Sequence, residues 1–481
     1  MSTPYRIIVG LEIHVELETA TKMFCRCKND PFHADKPNTH ICPVCLGLPG
    51  ALPVANEEAI RKSILVGRAL GCSIAPLSKW DRKHYFYPDL PKGYQISQSD
   101  MPLCEGGELL LLDQKGEVES RISFERAHLE EDAGKLMHGA KKGYSRVDLN
   151  RAGVPLLEMV SKPDITSAAQ ARRVLQELQL LVRTLGVSTA DMEKGQMRAD
   201  VNINIAFEHE GVEVRTPITE VKNVNSTRAV ERAIITESQR HYDEWMANGP
   251  IRTRTSKITA GWDEDTESVN VQRAKEGSAD YRYMPEPDLP PVAVHEIERL
   301  NPEHMLLPAL PNDIRKEYLG KGLVAADIEL LFEQNQRMLQ SLRELEAGGM
   351  PAKEAAKWLI QVPGSEQLSA AHLQEVSAAT SGGSVSFSAL KPLIPELAGY
   401  LRDGKSVQSF FEAKQLLQSH DDGVVQSAIA EVMSENPQAV ADFQSGNERI
   451  LGFFVGQVMK KCAGKAQPAR VQEAVRKALS I

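Results

Sequence analysis

Ile7-Ile-Val-Gly-Leu-Glu-Ile-His-Val-Glu-Leu17 reads as a β-strand. Its period-2 alternation sets Ile13, Val15 and Leu17 on one face and Glu12, His14 and Glu16 on the other. The apolar face predicts a core beneath it, and the polar face predicts a row of ionisable groups above it. Val201-Asn-Ile-Asn-Ile205 alternates likewise and puts Asn202 and Asn204 on one face. Between such runs lie helical stretches. Ala168 to Leu185 carries Leu175, Leu178, Leu181, Val182 and Leu185 at helical spacing. Strands and helices do not alternate regularly, so the expected fold class is α+β.

Pro285-Glu-Pro-Asp-Leu-Pro-Pro291 ends this pattern. Beyond it Asp327 to Leu345, Pro351 to Leu359 and Ala370 to Thr380 read as helices, and Ser381-Gly-Gly-Ser384 as a loop. The expected organisation is a β-rich cradle domain over 1–295, an all-α helical domain over 296–405 and a small all-α tail over 406–481. The tail turns basic after Arg449, with Lys460, Lys461, Lys465 and Arg470 as candidate nucleic-acid contacts.

The 481 residues carry a net charge of −9, which argues against a general nucleic-acid coat protein but not against a local basic patch. No apolar run approaches the roughly 20 residues that span a bilayer, and Met1 to Gly10 has no signal-peptide pattern. A cytosolic protein is expected, with an organelle matrix as the alternative. Seven cysteines are present, and four of them fall within a short stretch as Cys25-x-Cys27 and Cys42-Pro-Val-Cys45. In a reducing compartment that reads as a closed, structural four-thiolate zinc site. The one-residue gap in the first pair is unusual, so His33 and His40 stand as alternative ligands.

Arg126-Ala-His-Leu-Glu-Glu-Asp-Ala-Gly-Lys135 holds three adjacent carboxylates, Glu130, Glu131 and Asp132. A solvated acidic turn has the same spelling. Joined to Glu12 and His14, however, Glu130 and Glu131 would give the oxygen and nitrogen ligation that suits magnesium or manganese, with Asp132 bracing the turn. Asp81 to Gln98 is dense in cations and aromatics. Arg82, Lys83 and Lys92 are candidates to hold phosphates, and Tyr85, Phe86, Tyr87 and Tyr94 to stack on a base. Gly399-Tyr-Leu-Arg-Asp-Gly404-Lys405-Ser406 matches a P-loop string, but it follows a helical stretch and carries Asp403, so it reads as a turn.

Taken together these stretches resemble the GatB family of tRNA-dependent amidotransferase subunits. The matching motifs include Val9 to Leu17, Cys42-Pro-Val-Cys-Leu-Gly-Leu-Pro-Gly50, Asp81 to Gln98 and His128 to Lys135. They continue with Val147 to Leu156, Met192 to Gly195, Arg198 to Asn202, Lys222 to Ser226, Asp280-Tyr-Arg-Tyr283 and Pro285 to Leu289. Gly452 to Met459 and Gly464 to Pro468 fit the family's tail. The resemblance covers nearly the whole chain. One departure is Lys257-Ile-Thr-Ala260, where the family usually has Gln-Glu-Thr-Arg.

The resemblance implies the cradle, helical and YqeY-like tail domains in that order. It implies a heterotrimer with an amidase subunit and a small third subunit that wraps the other two. ATP would phosphorylate the side-chain carboxylate of glutamate on tRNA-Gln, or aspartate on tRNA-Asn, and ammonia from the amidase would form the amide. It further implies magnesium on Glu12, His14, Glu130 and Glu131. Lys83 and Arg82 would meet the nucleotide, with Asp200 and Asn202 nearby. Structural zinc would sit on Cys25, Cys27, Cys42 and Cys45, and the tail would grip the tRNA. A zinc-stabilised tRNA adaptor without chemistry is the competing reading.

Overall fold

The computed structural model describes residues 4–138, 143–249, 257–275, 281–333, 336–417, 422–445, 447, 450–462 and 468–479. The chain forms two compact units, Met1–Lys316 and Glu317–Ile481.

The first unit is built on an 11-stranded sheet. Its principal strands are β1 (Arg6–Glu16), β2 (Val118–Glu131), β3 (Pro155–Ser161), β4 (Met197–His209), β5 (Thr219–Val224), β6 (Lys257–Asp263) and β7 (Ser268–Lys275). They lie side by side in the order β7-β6-β5-β4-β1-β3-β2, so the opening strand of the chain sits at the centre. All these pairings are antiparallel except β5 with β6.

The alternation of β1 explains its central place. Val9, Leu11, Ile13 and Val15 are fully buried. They join one core with helices α1 (Glu57–Ala69), α2 (Ala168–Thr184) and α3 (Thr227–Asn248). Leu175, Leu178, Leu181 and Val182 of α2 pack into that core, as do Ile60 and Ile64 of α1 and Val230 and Ile234 of α3. Each helix starts at a side-chain cap. Asn56 accepts from Glu58 N and Ala59 N, Ser167 from Gln170 N, and Ser226 from Ala229 N. With the helices covering one face of the sheet, the opposite face is left to its polar residues.

α3 carries a buried polar knot. His241 shares hydrogen bonds with Thr216 Oγ1 and Thr219 Oγ1, both at 2.8 Å, and with Glu237 Oε1 at 3.0 Å. Burial works against the Glu237 carboxylate, but Arg240 and His241 outweigh it and bring its pKa down to about 2. A depressed acid stabilises the fold above its unfolded pKa and loses that contribution as pH falls through the folded value. Glu237→Gln should therefore cost up to roughly 3 kcal/mol at neutral pH. The deficit should shrink between the ordinary Glu pKa of about 4.5 and about pH 2. Urea titrations of both proteins across that range check it, and a pH-independent deficit would refute the linkage.

The Pro285–Pro291 run changes composition without ending the unit. Met284 and Pro285 pair with Arg82 and Asp81. Val292 and Ala293 pair with Ser78 and Leu77. Further on, Asn312 Nδ2 donates to Leu110 O at 2.9 Å, and Arg315 forms a two-pronged ion pair with Glu177 at 2.7 and 2.9 Å. These ties hold the chain to the sheet unit up to Lys316, well past the composition break near 295.

The second unit is helical. The stretch expected as helical over 327–345 is helical in its described residues, Ala325–Glu333 and Gln336–Ala347. Val407–Ala413 packs on Ile394–Arg402 and Ala370–Ser381, so the last separate core begins beyond the expected break at 405. That core gathers Ile429, Val432, Phe454, Val458, Val471 and Val475 from the final helices. The P-loop-like string is a helix end and turn. Lys405 lies over the Tyr400 ring at 4.4 Å, and Ser406 caps the next helix. No described helix is long and apolar enough to cross a membrane.

Candidate functional site

Register brings the polar residues of five strands together on one face of the sheet. On β1, Glu12 stands opposite Asp200 of β4, while His14 stands between Glu158 of β3 and Arg198 of β4. Glu158 in turn stands opposite His128 of β2, and Asn202 of β4 opposite Glu220 of β5. Two groups of ligand-competent atoms result, each with its atoms within 4.8 Å of one another. One is His14, Glu130 and Glu158, and the other is Glu12, Asp200 and Glu220.

In the first group His14 Nε2 lies 3.4 Å from Glu158 and 3.7 Å from Glu130. His128 Nε2 lies 3.6 Å from Glu158. Burial alone would lower the His14 pKa, but the Glu158 hydrogen bond and the charges of Glu158 and Glu130 leave it raised. Burial would raise the Glu158 carboxyl, but His128, His14 and Lys83 hold it well below the usual carboxylate range. Lys83 is delivered by the hairpin Asp81–His84/Tyr94–Ser97, whose strands pair Lys83 with Gln95. Its amine is 3.9 Å from Glu130 and 5.3 Å from the centre of the Tyr281 ring. Burial disfavours that charge, yet Glu130 and Glu158 more than offset it and raise the amine's pKa.

In the second group Asn202 Nδ2 donates to Glu12 at 2.8 Å. Lys222 pairs with Asp200 at 2.5 Å and reaches Glu220 at 3.6 Å. Lys257 and Thr259, from the stretch that departs from the family pattern, both meet Glu220, at 3.2 and 3.0 Å. Among the described residues, Asn202 Oδ1 and His128 Nδ1 are buried without a hydrogen-bond partner. A buried, unpartnered acceptor beside acids is an expensive arrangement unless a cation completes it. The donor set, carboxylate and amide oxygens with one imidazole, suits magnesium or manganese.

The sequence pairs Glu131 with Glu130, but consecutive strand residues face opposite sides of a sheet. Glu131 is buried in an ion pair with Lys92 and accepts from Ile96 N at 2.9 Å. It therefore anchors the Lys83 hairpin from behind rather than joining either ligand group. Asp132 braces the turn through Arg198 at 2.7 Å and Arg151 at 3.5 Å. Close by, burial and then Asp132 push the Glu16 carboxyl up to about 8. Arg82 is also committed, with Glu286 gripping its guanidinium at 2.7 and 2.8 Å and its face over Tyr94 at 4.4 Å. Lys83, not Arg82 or Lys92, is thus the cation of this hairpin that points at the acids. Glu158 and Glu220 are not among the residues that sequence reasoning singles out. The signal for Glu158 is a single acid inside the apolar run Pro155-Leu-Leu-Glu-Met-Val-Ser161.

Cys25, Cys27, Cys42 and Cys45 converge with their sulfurs within 4.8 Å, so the unusual one-residue gap does not prevent a four-thiolate set. The Cys45 thiol is pulled down to about 5 by the Cys25 hydrogen bond, against burial, with help from the Cys42 amide and the Lys22 charge. Four converging thiols with no open position are the donor set of structural zinc. Neither His33, which bonds Asp30, nor His40 belongs to this group. In the second unit Lys460 is exposed, whereas Lys461 is tied to Glu431 and Glu435. Lys465 and the side chain of Arg470 lie outside the described residues.

An acid-lined sheet carrying a four-thiolate loop, followed by a helical unit, defines a two-unit protein with a candidate metal-binding sheet face. Residues 7–298 match the GatB/GatE catalytic domain, and residues 338–479 match the GatB domain. The chain is 41% identical over 475 residues to the B-subunit of an aspartyl/glutamyl-tRNA(Asn/Gln) amidotransferase from Rhodopirellula baltica, covering 95% of this chain and 94% of that one. Proteins of the same name from Crocosphaera subtropica and Thermotoga maritima are 40% and 39% identical, with at least 99% of each chain covered. The chain belongs to the GatB/GatE family of tRNA-dependent amidotransferase subunits.

Proposed function

We propose that this chain activates and amidates the side-chain carboxylate of a misacylated tRNA. A carboxylate oxygen of tRNA-borne glutamate or aspartate attacks the γ-phosphorus of ATP, and the bond to the β–γ bridging oxygen breaks to release ADP. Ammonia from a partner amidase then attacks the acyl carbon, phosphate departs with the activated oxygen, and a proton is lost from nitrogen. The observation that carries this reading is the pair of acid groups side by side on one sheet face, His14/Glu130/Glu158 and Glu12/Asp200/Glu220.

Divalent ions held there would neutralise phosphate charge and align the two oxygens of the transfer. Lys83 holds its proton beside Glu130, which supports a role for it in meeting phosphate oxygens. Lys222 and Lys257 offset the charge of Asp200 and Glu220. The thiolate loop, as a closed zinc site, would order structure and take no part in chemistry. The exposed cations of the last helices, Lys460 among them, are proposed to contact the tRNA body. A heterotrimer with amidase and small subunits, working in the cytoplasm, completes the reading. A binding adaptor has no use for two adjacent groups of acids on one face.

The test is a reconstituted complex supplied with ATP, magnesium, glutamine and misacylated tRNA. ATP-dependent formation of Gln-tRNA-Gln or Asn-tRNA-Asn is expected, and it should stop when divalent ions are chelated. Amide formation without ATP would overturn the proposal.

A further inference from the structure

Lys22 is fully buried, yet among the described residues it forms no ion pair. Its amine donates only to neutral carbonyl oxygens: His40 at 2.7 Å, Leu149 at 3.3 Å and Ala152 at 2.7 Å. A buried ammonium held by carbonyls alone lacks the countercharge that its desolvation demands. One source of that charge lies close by in the cysteine group, because Glu131, the acid at the same turn, is already paired with Lys92. A methyl placed on Gly153 would meet Lys22 Cδ at 3.6 Å, Cys45 Cβ at 3.7 Å and Glu131 Oε2 at 3.8 Å, so these three side chains converge on one turn. Four thiolates around a divalent ion carry a net double negative charge, and a buried cation beside them would offset half of it.

The same lysine joins three segments. Its carbonyl partners lie on the cysteine loop and on the Leu149–Val154 turn. Its own amide donates to Cys27 O at 3.0 Å, and the next amide, of Met23, donates to Gly153 O at 2.8 Å. That turn is itself paired to the acid strand: Gly153 N donates to Asp132 O at 2.9 Å, and Asp132 N to Val154 O at 2.8 Å. Metal bound in the loop would thus be felt one turn away from the end of β2.

We propose that Lys22 is the buried counter-cation of the four-cysteine metal site and, through its carbonyl contacts, locks that site to the Leu149–Val154 turn behind Glu131 and Asp132. This makes Lys22 a positioning residue whose charge, rather than its bulk, retains the metal. The inference rests on the reading of the cysteines as a zinc site.

The experiment is a zinc competition titration of the full chain against a chromophoric chelator. Wild type should bind one zinc per chain, and failure to do so would refute the zinc reading itself. Lys22→Gln, which keeps donors but loses the charge, should weaken zinc binding by about 10–100-fold, the usual cost of losing a partner around the ligands. Retained affinity would overturn the counter-cation role. In a Cys27→His background, where one thiolate charge is gone, the same substitution should cost markedly less. An equal cost in both backgrounds would mean that Lys22 acts by packing, and would also overturn it. The wild-type protein supplies a check that needs no variant to fold. Removing zinc should speed hydrogen exchange across Leu149–Val154 by about tenfold or more while central β1 stays protected. Unchanged exchange in that turn would refute the lock.

Discussion

Glu130→Gln should lower ATP-dependent amide formation by about 10²–10³-fold, the usual cost of removing one group that stabilises charge in a transition state. The change keeps shape and removes charge from a side chain that faces His14, Lys83 and Ser97 at 3.7, 3.9 and 3.3 Å. If this carboxylate helps to hold a divalent ion, its loss weakens neutralisation of the transferring phosphoryl group while the sheet beneath stays intact. Single-turnover amidation with misacylated tRNA measures the loss. Ammonia release by the partner amidase and binding of the tRNA should persist. Near-normal amidation by the variant would sink the assignment of Glu130 to the reaction.

Glu131→Ala should instead read out as instability, by about 3–5 kcal/mol. The Glu131 and Lys92 side chains are 4% and 9% exposed, so removing the acid strands a buried cation. The same carboxylate also accepts from Ile96 N, and Gln95 Nε2 donates to the Glu131 carbonyl at 2.7 Å. These bonds dock the hairpin that carries Lys83, so any loss of activity would follow from undocking. Pairing Lys92→Met with Glu131→Leu should recover much of the stability, because apolar replacements of a buried ion pair are often neutral. Urea unfolding of the single and double variants decides the matter. A stable Glu131→Ala protein with abolished phosphoryl transfer would return Glu131 to the reacting group.

The contrast between these neighbours shows what local sequence carries. Taken as a strand, 126–131 separates Glu130 from Glu131 at once by period-2 alternation. The run of three acids draws attention to charge and away from periodicity. Arg82 carries the opposite lesson: a cation among aromatics resembles a phosphate ligand until its partner, Glu286, is found 204 residues away. Glu158 and Glu220 escape notice because a single acid in an apolar strand has no local signature of purpose.

The sequence by itself determined the α+β class, the amphipathic opening strand, the four-cysteine loop and the family resemblance. All of these are written in short-range periodicity, spacing and motif order. Only the tertiary structure decided which acids meet. The strand order β5-β4-β1-β3-β2 and its register bring residues from five separated segments onto one face. That order arises from long-range pairing and burial of the common core, which no local pattern encodes.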